Sequence, residues 1–232
     1  MYKYLYKILD KYFQNNFIKD LLPLIDNNIK NLVVFDVGCY VGNFSRKLKN
    51  EINNKDIEFH LFDPNPNLKI EDFKYNNIAF SNKKGTFDYH LNTFFPSSGS
   101  SLKTFVKDDK LWNFTRKIAT LSFLKSFETI KVKTDLLDNY CEEKKIEKID
   151  ILKIDVEGSE IEVLEGSKKM LKNIRIIQIE IFDTKKLHNQ KFEKIKKILS
   201  DESFILKKIR NTWSSQQFSN TKSADALFIK EI

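Results

Sequence analysis

The stretch Lys153-Ile154-Asp155-Val156-Glu157-Gly158-Ser159-Glu160 constrains the fold more than any other part of the chain. An apolar run, Ile149 to Ile154, delivers a carboxylate at its end, and a glycine and a fresh helix start follow at once. A short apolar run bounded in this way predicts a buried strand. In an open parallel sheet ligands sit outside the carboxyl ends of the strands, so an acid at such an end faces a site. A second unit has the same grammar. Phe35-Asp36-Val37-Gly38-Cys39-Tyr40-Val41-Gly42-Asn43-Phe44-Ser45 reads as apolar strand, acid, glycine-rich turn and helix start. Together the two units predict an enzyme on a Rossmann-like α/β sheet.

The alternation continues along the chain. Strands are expected at Leu32 to Val37, Ile57 to Phe62, Asn77 to Phe80, Thr86 to Leu91, Ile149 to Ile154, Ile174 to Phe182, Phe204 to Ile209 and Ala224 to Ile229. Helices are expected at Asn43 to Asn50, Glu160 to Leu171 and Asn189 to Leu199. Strands alternating with helices make a mostly parallel sheet. The final pair of strands has only a polar loop between its members, so it must be antiparallel. The expectation is a mostly parallel seven-stranded sheet with an antiparallel last strand, over residues 31–232. Residues 1–30 read as a helical extension, with Tyr2, Leu5, Ile8, Leu9, Tyr12 and Phe13 at helical spacing and Pro23 interrupting a second apolar group. Such a segment covers a sheet, or lies on a membrane surface where lysines interleave with aromatics. Residues 93–130 scatter Phe94, Phe95, Phe105, Trp112 and Phe114 among Ser, Thr and Lys without a period, which reads as an insertion over the site.

Charge narrows the partners. Forty Lys and Arg against 32 Asp and Glu leave +8, but only Arg46, Arg116, Arg175 and Arg210 are arginines. Readers of phosphates and bases recruit arginine forks, so a nucleic-acid partner is not expected. Cys39 and Cys141 form neither a metal spacing nor a disulfide framework, the N-terminal residues are broken by lysine, and no apolar run approaches a membrane span. The expected compartment is the cytoplasm.

The glycine turn bears on the cofactor. Gly38 and Gly42 let the backbone pass close to a ligand, and Asn43, Phe44 and Ser45 open a helix with unpaired N–H groups. A dinucleotide fold would read Gly-x-Gly-x-x-Gly, whereas here Tyr40 stands at the second glycine and would crowd a diphosphate. That weakens a nicotinamide-dependent oxidoreductase. Asp36 is a poor neighbour for phosphate and a good one for a sulfonium, which favours S-adenosylmethionine. Asp63 ends the next strand, placed to accept from both ribose hydroxyls, and Pro64 stiffens the turn after it. Ser81 and Asn82 offer polar contacts to an adenine edge, although a short turn explains them nearly as well. A non-catalytic nucleoside-binding module is the further alternative, disfavoured because Asp36, Gly38, Asp63 and Asp155 all stand together.

Phe35 to Ser45, Phe62-Asp63-Pro64, Ala79 to Gly85, Ser98 to Leu102, Lys153 to Glu160 and Asp225 to Ile229 resemble the FkbM-type methyltransferases, over residues 31–231. The resemblance implies a class I fold, S-adenosylmethionine as cofactor, and methylation of a hydroxyl on a small molecule or glycan. Asp63 stands where many relatives carry Glu, a change the ribose contact tolerates. An alcohol is a poor nucleophile while protonated, so a base or a metal must help. Asp155 and Glu180 end neighbouring strands, and either can take the proton, or the pair can hold Mg²⁺ or Mn²⁺. Glu157 is a third acid, or a cap for the next helix. The metal-free route is preferred, so no metal ligand is assigned. His60 reads as core, and His188 as a rival base. Trp213 reads as a packing anchor that could also stack on a sugar ring.

Overall fold

Burial picks out the centre of the sheet. Strand β7 (Ile149–Ile154) is buried at every position and β1 (Asn31–Val37) at most, as expected of strands covered on both faces. In this computed structural model residues 18–26, 29–52, 56–92, 100–103, 127–184, 190–211 and 221–231 are described. The remaining strands are β2 (Asp56–Phe62), β3 (Lys74–Asn76), β4 (Ala79–Phe80), β5 (Gly85–Asn92), β6 (Phe127–Asp135), β8 (Ile174–Thr184), β9 (Phe204–Asn211) and β10 (Thr221–Lys230). The helices are α1 (Asn43–Glu51), α2 (Leu137–Lys144), α3 (Glu160–Glu165) and α4 (Gln190–Ser200).

Seven strands form one sheet in the order β3-β2-β1-β7-β8-β10-β9. The pairings from β3 through β8 are parallel, and β10 runs antiparallel between β8 and β9. The expected class I methyltransferase sheet, Rossmann-like with a reversed last strand, is the one present. Alternation sends consecutive residues of each strand to opposite faces. One face carries Phe35, Val37, Phe62, Leu152, Ile154, Ile177 and Ile179. The other carries Leu32, Val34, Leu61, Ile151 and Ile176 under Phe44 and Leu48 of α1. Ile18, Leu21 and Ile25 join that second layer, and Asp20 forms ion pairs with Lys208 and Arg210 of β9. This stretch of the N-terminal extension therefore covers the sheet.

Several expectations change. The strand expected at Asn77 to Phe80 shortens to Ala79–Phe80, and a strand that was not expected, Lys74–Asn76, precedes it. Lys74–Asn76 completes the large sheet, while Ala79–Phe80 pairs with β6 in a second sheet ordered β4-β6-β5. Between them the Asn77 amide donates to the backbone oxygens of Asp63 and Asn65, which turns the chain out of line. Strand β6 overlaps the end of the expected insertion, because its register against β5 begins at Phe127. Its charged residues Glu128, Lys131 and Lys133 hide the strand pattern, since only one side of it is covered. The helix expected from Glu160 to Leu171 stops at Glu165, and a 3₁₀ turn at Met170–Asn173 follows. At Gly166 a Cβ would lie 2.2 Å from the Ser81 oxygen, so the chain there is held against the end of β4. Residues 1–17, with the membrane-surface expectation, and most of 93–126, with His188 and Trp213, lie outside the described residues. Among those described, no helix is long and apolar enough to cross a membrane.

Candidate active site

The carboxyl ends of β1, β2 and β7 are tied to one another by backbone bonds. The amides of Gly38 and Cys39 both donate to the Phe62 oxygen, and the Asp155 amide donates to the Val37 oxygen at 2.9 Å. Gly38 has φ +78°, and a Cβ on it would stand 1.8 Å from the Asp155 carbonyl oxygen. The glycine is thus required by the meeting of two strand ends. Gly42, also left-handed, caps α1 and would press a Cβ to 2.9 Å from the Leu61 side chain. It supports the turn and does not line the cleft beyond it.

That cleft has an enclosed volume of about 100 Å³ and opens to solvent at its mouth. Gly38, Cys39, Tyr40, Asn43, Phe44, Asp63 and Pro64 form one end of it. Phe62, Ile78, Ala79, Phe80, Tyr89, Ser100 and Leu102 form an apolar and aromatic wall, and Lys153, Asp155, Glu157 and Ser159 the acidic end. Asp63 is fastened from two sides, accepting from the Tyr40 amide at 3.0 Å and from the Asn65 amide at 2.9 Å. Burial lifts its pKa to about 6 against those two bonds, so it is mostly ionised at neutral pH. Tyr40 sits at φ +47°, the strained turn that aims its N–H at Asp63.

Three adjacent strands bring acids together beside the cleft, which Asp155 lines and Glu180 and Asp225 do not. Asp155 follows β7, Glu180 lies in β8, and Asp225 of β10 pairs in register with Glu180. Burial works against the charge of Asp155, but the Lys153 ammonium and a hydrogen bond from Glu180 hold it below the usual carboxylate range. Glu180 is pushed well above that range by burial and by Asp155, so it keeps its proton and donates it. Burial and Asp155 together raise Asp225 to about 7. Asp155 is thus the ionised member of the set, with 36 % of its side chain open. Glu157 lines the cleft in a left-handed backbone conformation, and its carbonyl accepts from the Ser101 hydroxyl at 2.7 Å. Glu160 caps the same loop, accepting from the Gly158 amide.

Some candidates lie elsewhere. Asp36 is fully enclosed, accepting from the Ser45 hydroxyl at 2.8 Å and lying 3.3 Å from the Lys153 ammonium. It is therefore no direct neighbour for a sulfonium, and Ser45 serves Asp36 instead of the cleft. Asp36 points away because Val37 and Phe35, its strand neighbours, face the opposite layer. Ser81 donates its amide to the Asp135 oxygen and Asn82 binds Glu165, so neither lines the cleft. The cleft is lined near this point by Ile78, Ala79 and Phe80 instead. Among the described residues no group of three His, Cys, Asp or Glu side chains could hold a metal ion. The cation seated between the carboxylates is Lys153. Sequence reasoning passed over this lysine, although a lysine inside an otherwise apolar strand is a signal in itself. His60 is core, bonded to Tyr140 and Glu58.

A cleft of this make suits S-adenosylmethionine. Asp63 retains lone pairs for a ribose diol, the aromatic wall offers a flat surface to adenine, and the acidic end offsets a sulfonium.

Residues 36–206 match the methyltransferase FkbM domain. A 2-O-methyltransferase, NoeI, of Sinorhizobium fredii is 26% identical over 167 residues, covering 65% of this chain and 63% of that protein. The methyltransferase sdnD of Sordaria araneosa is 28% identical over 221 residues, covering 84% and 82%. Among solved structures, an FkbM methyltransferase from Methylobacillus flagellatus superposes with a TM-score of 0.48 at 11% identity, over 86% of this chain and 44% of that one.

Proposed function

The chain belongs to the FkbM methyltransferase family and carries an S-adenosylmethionine-dependent methyltransferase domain, and from that premise we propose that it methylates a hydroxyl group, on a sugar or a glycosylated small molecule. The observation that carries the reading is the ionised, cleft-facing Asp155 at one end of a cleft whose other end is Asp63 on the Gly38–Tyr40 turn. The printed name of the Sinorhizobium relative, a 2-O-methyltransferase, supports oxygen as the acceptor atom.

When bound, S-adenosylmethionine supplies a methyl group already activated on sulfur. The protein's own part is to orient and to take a proton. Asp63, fastened by the Tyr40 amide, fixes the nucleoside end, and the wall from Phe62 to Phe80 excludes water. Holding two reactants in line can account for about 7–11 kcal/mol of a barrier. Asp155 accepts the proton of the incoming hydroxyl, since Glu180 already holds one and cannot take a second. Glu157 stands at the cleft edge, where it meets further hydroxyls of a polyol.

A thermal shift series tests the reading. S-adenosylhomocysteine at a hundredfold excess over its dissociation constant should add about 2.7 kcal/mol of stability. Stabilisation by NAD with none from S-adenosylhomocysteine would overturn it. Label from S-adenosylmethionine should then pass to members of a mono- and disaccharide panel and survive EDTA. Transfer to amines alone would refute the choice of oxygen.

A further inference from the structure

A lysine ammonium is almost never fully buried unless carboxylates accompany it, and Lys153, with 9 % of its side chain exposed, has two at different depths. Asp36 lies beneath it, fully enclosed, with its other oxygen already engaged by Ser45 at 2.8 Å. Asp155 lies above it at 3.0 Å, open to the cleft. The Phe44 ring, 5.7 Å from the ammonium, closes the side facing α1. Asp36 therefore anchors the lysine, and the lysine presents Asp155. We infer that Lys153 is a positioning residue for the methyl transfer proposed above, on which this rests: it is the resident cation that holds the Asp155 carboxylate in place at the cleft.

The charges around Asp155 make the lysine's part measurable. Glu180 reaches it from β8 and Asp225 from β10, Glu157 and Glu160 stand in the loop and helix after β7, and Asp36 and Asp63 end β1 and β2. Lys153 opposes these acids from 3.0 Å at Asp155 and 3.3 Å at Asp36. Without it, Asp155 would compete with Glu180 for the proton that Glu180 now keeps. A lysine that only stabilised the fold would change the melting temperature and leave the pH profile of methyl transfer to the saccharide panel in place, whereas a positioning lysine shifts that profile together with the Asp155 titration.

The experiment is a pH titration of the full chain, ligand-free, with ¹³C at the aspartate carboxyl groups, assigned with Asp155→Asn. In Lys153→Met the Asp155 titration should move up by about 1–3 pH units, the size expected for loss of a close opposite charge. Lys153→Arg should keep it near the wild-type position. If Lys153→Met does not fold, Asp36→Asn/Lys153→Met restores the charge balance and should show the same upward move. An Asp155 titration unchanged in the folded variants overturns the inference. Calorimetry with S-adenosylhomocysteine runs beside it on the wild type and on Lys153→Met, and both should bind comparably. If the wild type binds no S-adenosylhomocysteine while the titration still moves, the functional reading falls and the ion pair stands. If it binds and the titration does not move, the functional reading stands and the role of Lys153 falls.

Discussion

Two buried bases lie in neighbouring rows of the same sheet and meet opposite fates. His60 pairs in register with Phe35 on β1, and Lys153 pairs with the next residue, Asp36. Consecutive residues of a strand face opposite layers, so His60 enters the aromatic layer and Lys153 the layer under α1. His60 is ringed by Phe35, Phe62 and Tyr140, and burial lowers its pKa although Glu58 pulls the other way. It is a neutral core histidine with both nitrogens satisfied. Lys153 is nearly as enclosed, yet Asp155 and Asp36 outweigh its desolvation and keep it charged. Burial does not separate a structural base from a functional one. The number of carboxylates buried with it does.

The largest test of this contrast is on the aromatic side. Phe35 is fully buried and contacts His60, Phe62 and Tyr140. Phe35→Ala should cost about 3–5 kcal/mol in chemical denaturation, while the folded fraction binds S-adenosylhomocysteine as before. A loss of affinity matching the loss of stability would mean that the two layers are not separate.

Next comes Asp63, at the cleft. Asp63→Ala removes the acceptor for two hydroxyls, each bond worth about 1.5–3 kcal/mol when one partner is charged. Calorimetry should show affinity for S-adenosylhomocysteine falling by roughly one to three orders of magnitude. Unaltered affinity would place the nucleoside elsewhere.

The pH dependence of stability sharpens the contrast, because the two sides carry opposite signs. His60 has its folded pKa depressed below 6.5, so the unfolded chain binds the proton first and stability falls as pH drops below that value. Glu160 is raised from 4.5 to about 7, so its contribution is full below pH 4.5 and lost as pH rises through about 7. The Glu160 slope should amount to about 3 kcal/mol across its window, and the His60 slope should run the other way. Glu160→Gln should flatten the loss on the alkaline side, and His60→Phe the loss on the acid side. Denaturation curves from pH 4 to 8 in which both variants keep the wild-type slopes would contradict the assignment.

The smallest effect is expected at Asn82, which binds Glu165 and not the cleft. Asn82→Ala should change stability by about 0.5 kcal/mol or less, as for most surface positions, and leave cofactor affinity unchanged. A tenfold loss of affinity would return Asn82 to the adenine site.

Much of the architecture was legible from the chain itself. β1 and β7 announce themselves because a strand covered on both faces is mostly apolar, and each has an acid and a glycine within a few residues of its end. The reversed β10 followed from the missing crossover helix. β6 was hidden, since a strand covered on one side can carry Glu128, Lys131 and Lys133 and resemble a loop. The break between β3 and β4 at Asn77 was hidden too, because it depends on an amide reaching backbone oxygens twelve and fourteen residues away.

What the sequence by itself determined is the order of strand, acid, glycine and helix, and therefore the end of the sheet at which chemistry takes place. Hydrophobic burial acts through a period of two, and that period is written in the chain. Only the tertiary structure decided which acid faces a ligand. Asp36 and Asp155 have the same local grammar, yet one lies sealed under Ser45 and Lys153 while the other opens into the cleft. The reason is that a side chain's charge state and exposure depend on groups from other strands: Lys153 joins Asp36 of β1 to Asp155 beyond β7, and Glu180 of β8 supplies the shared proton.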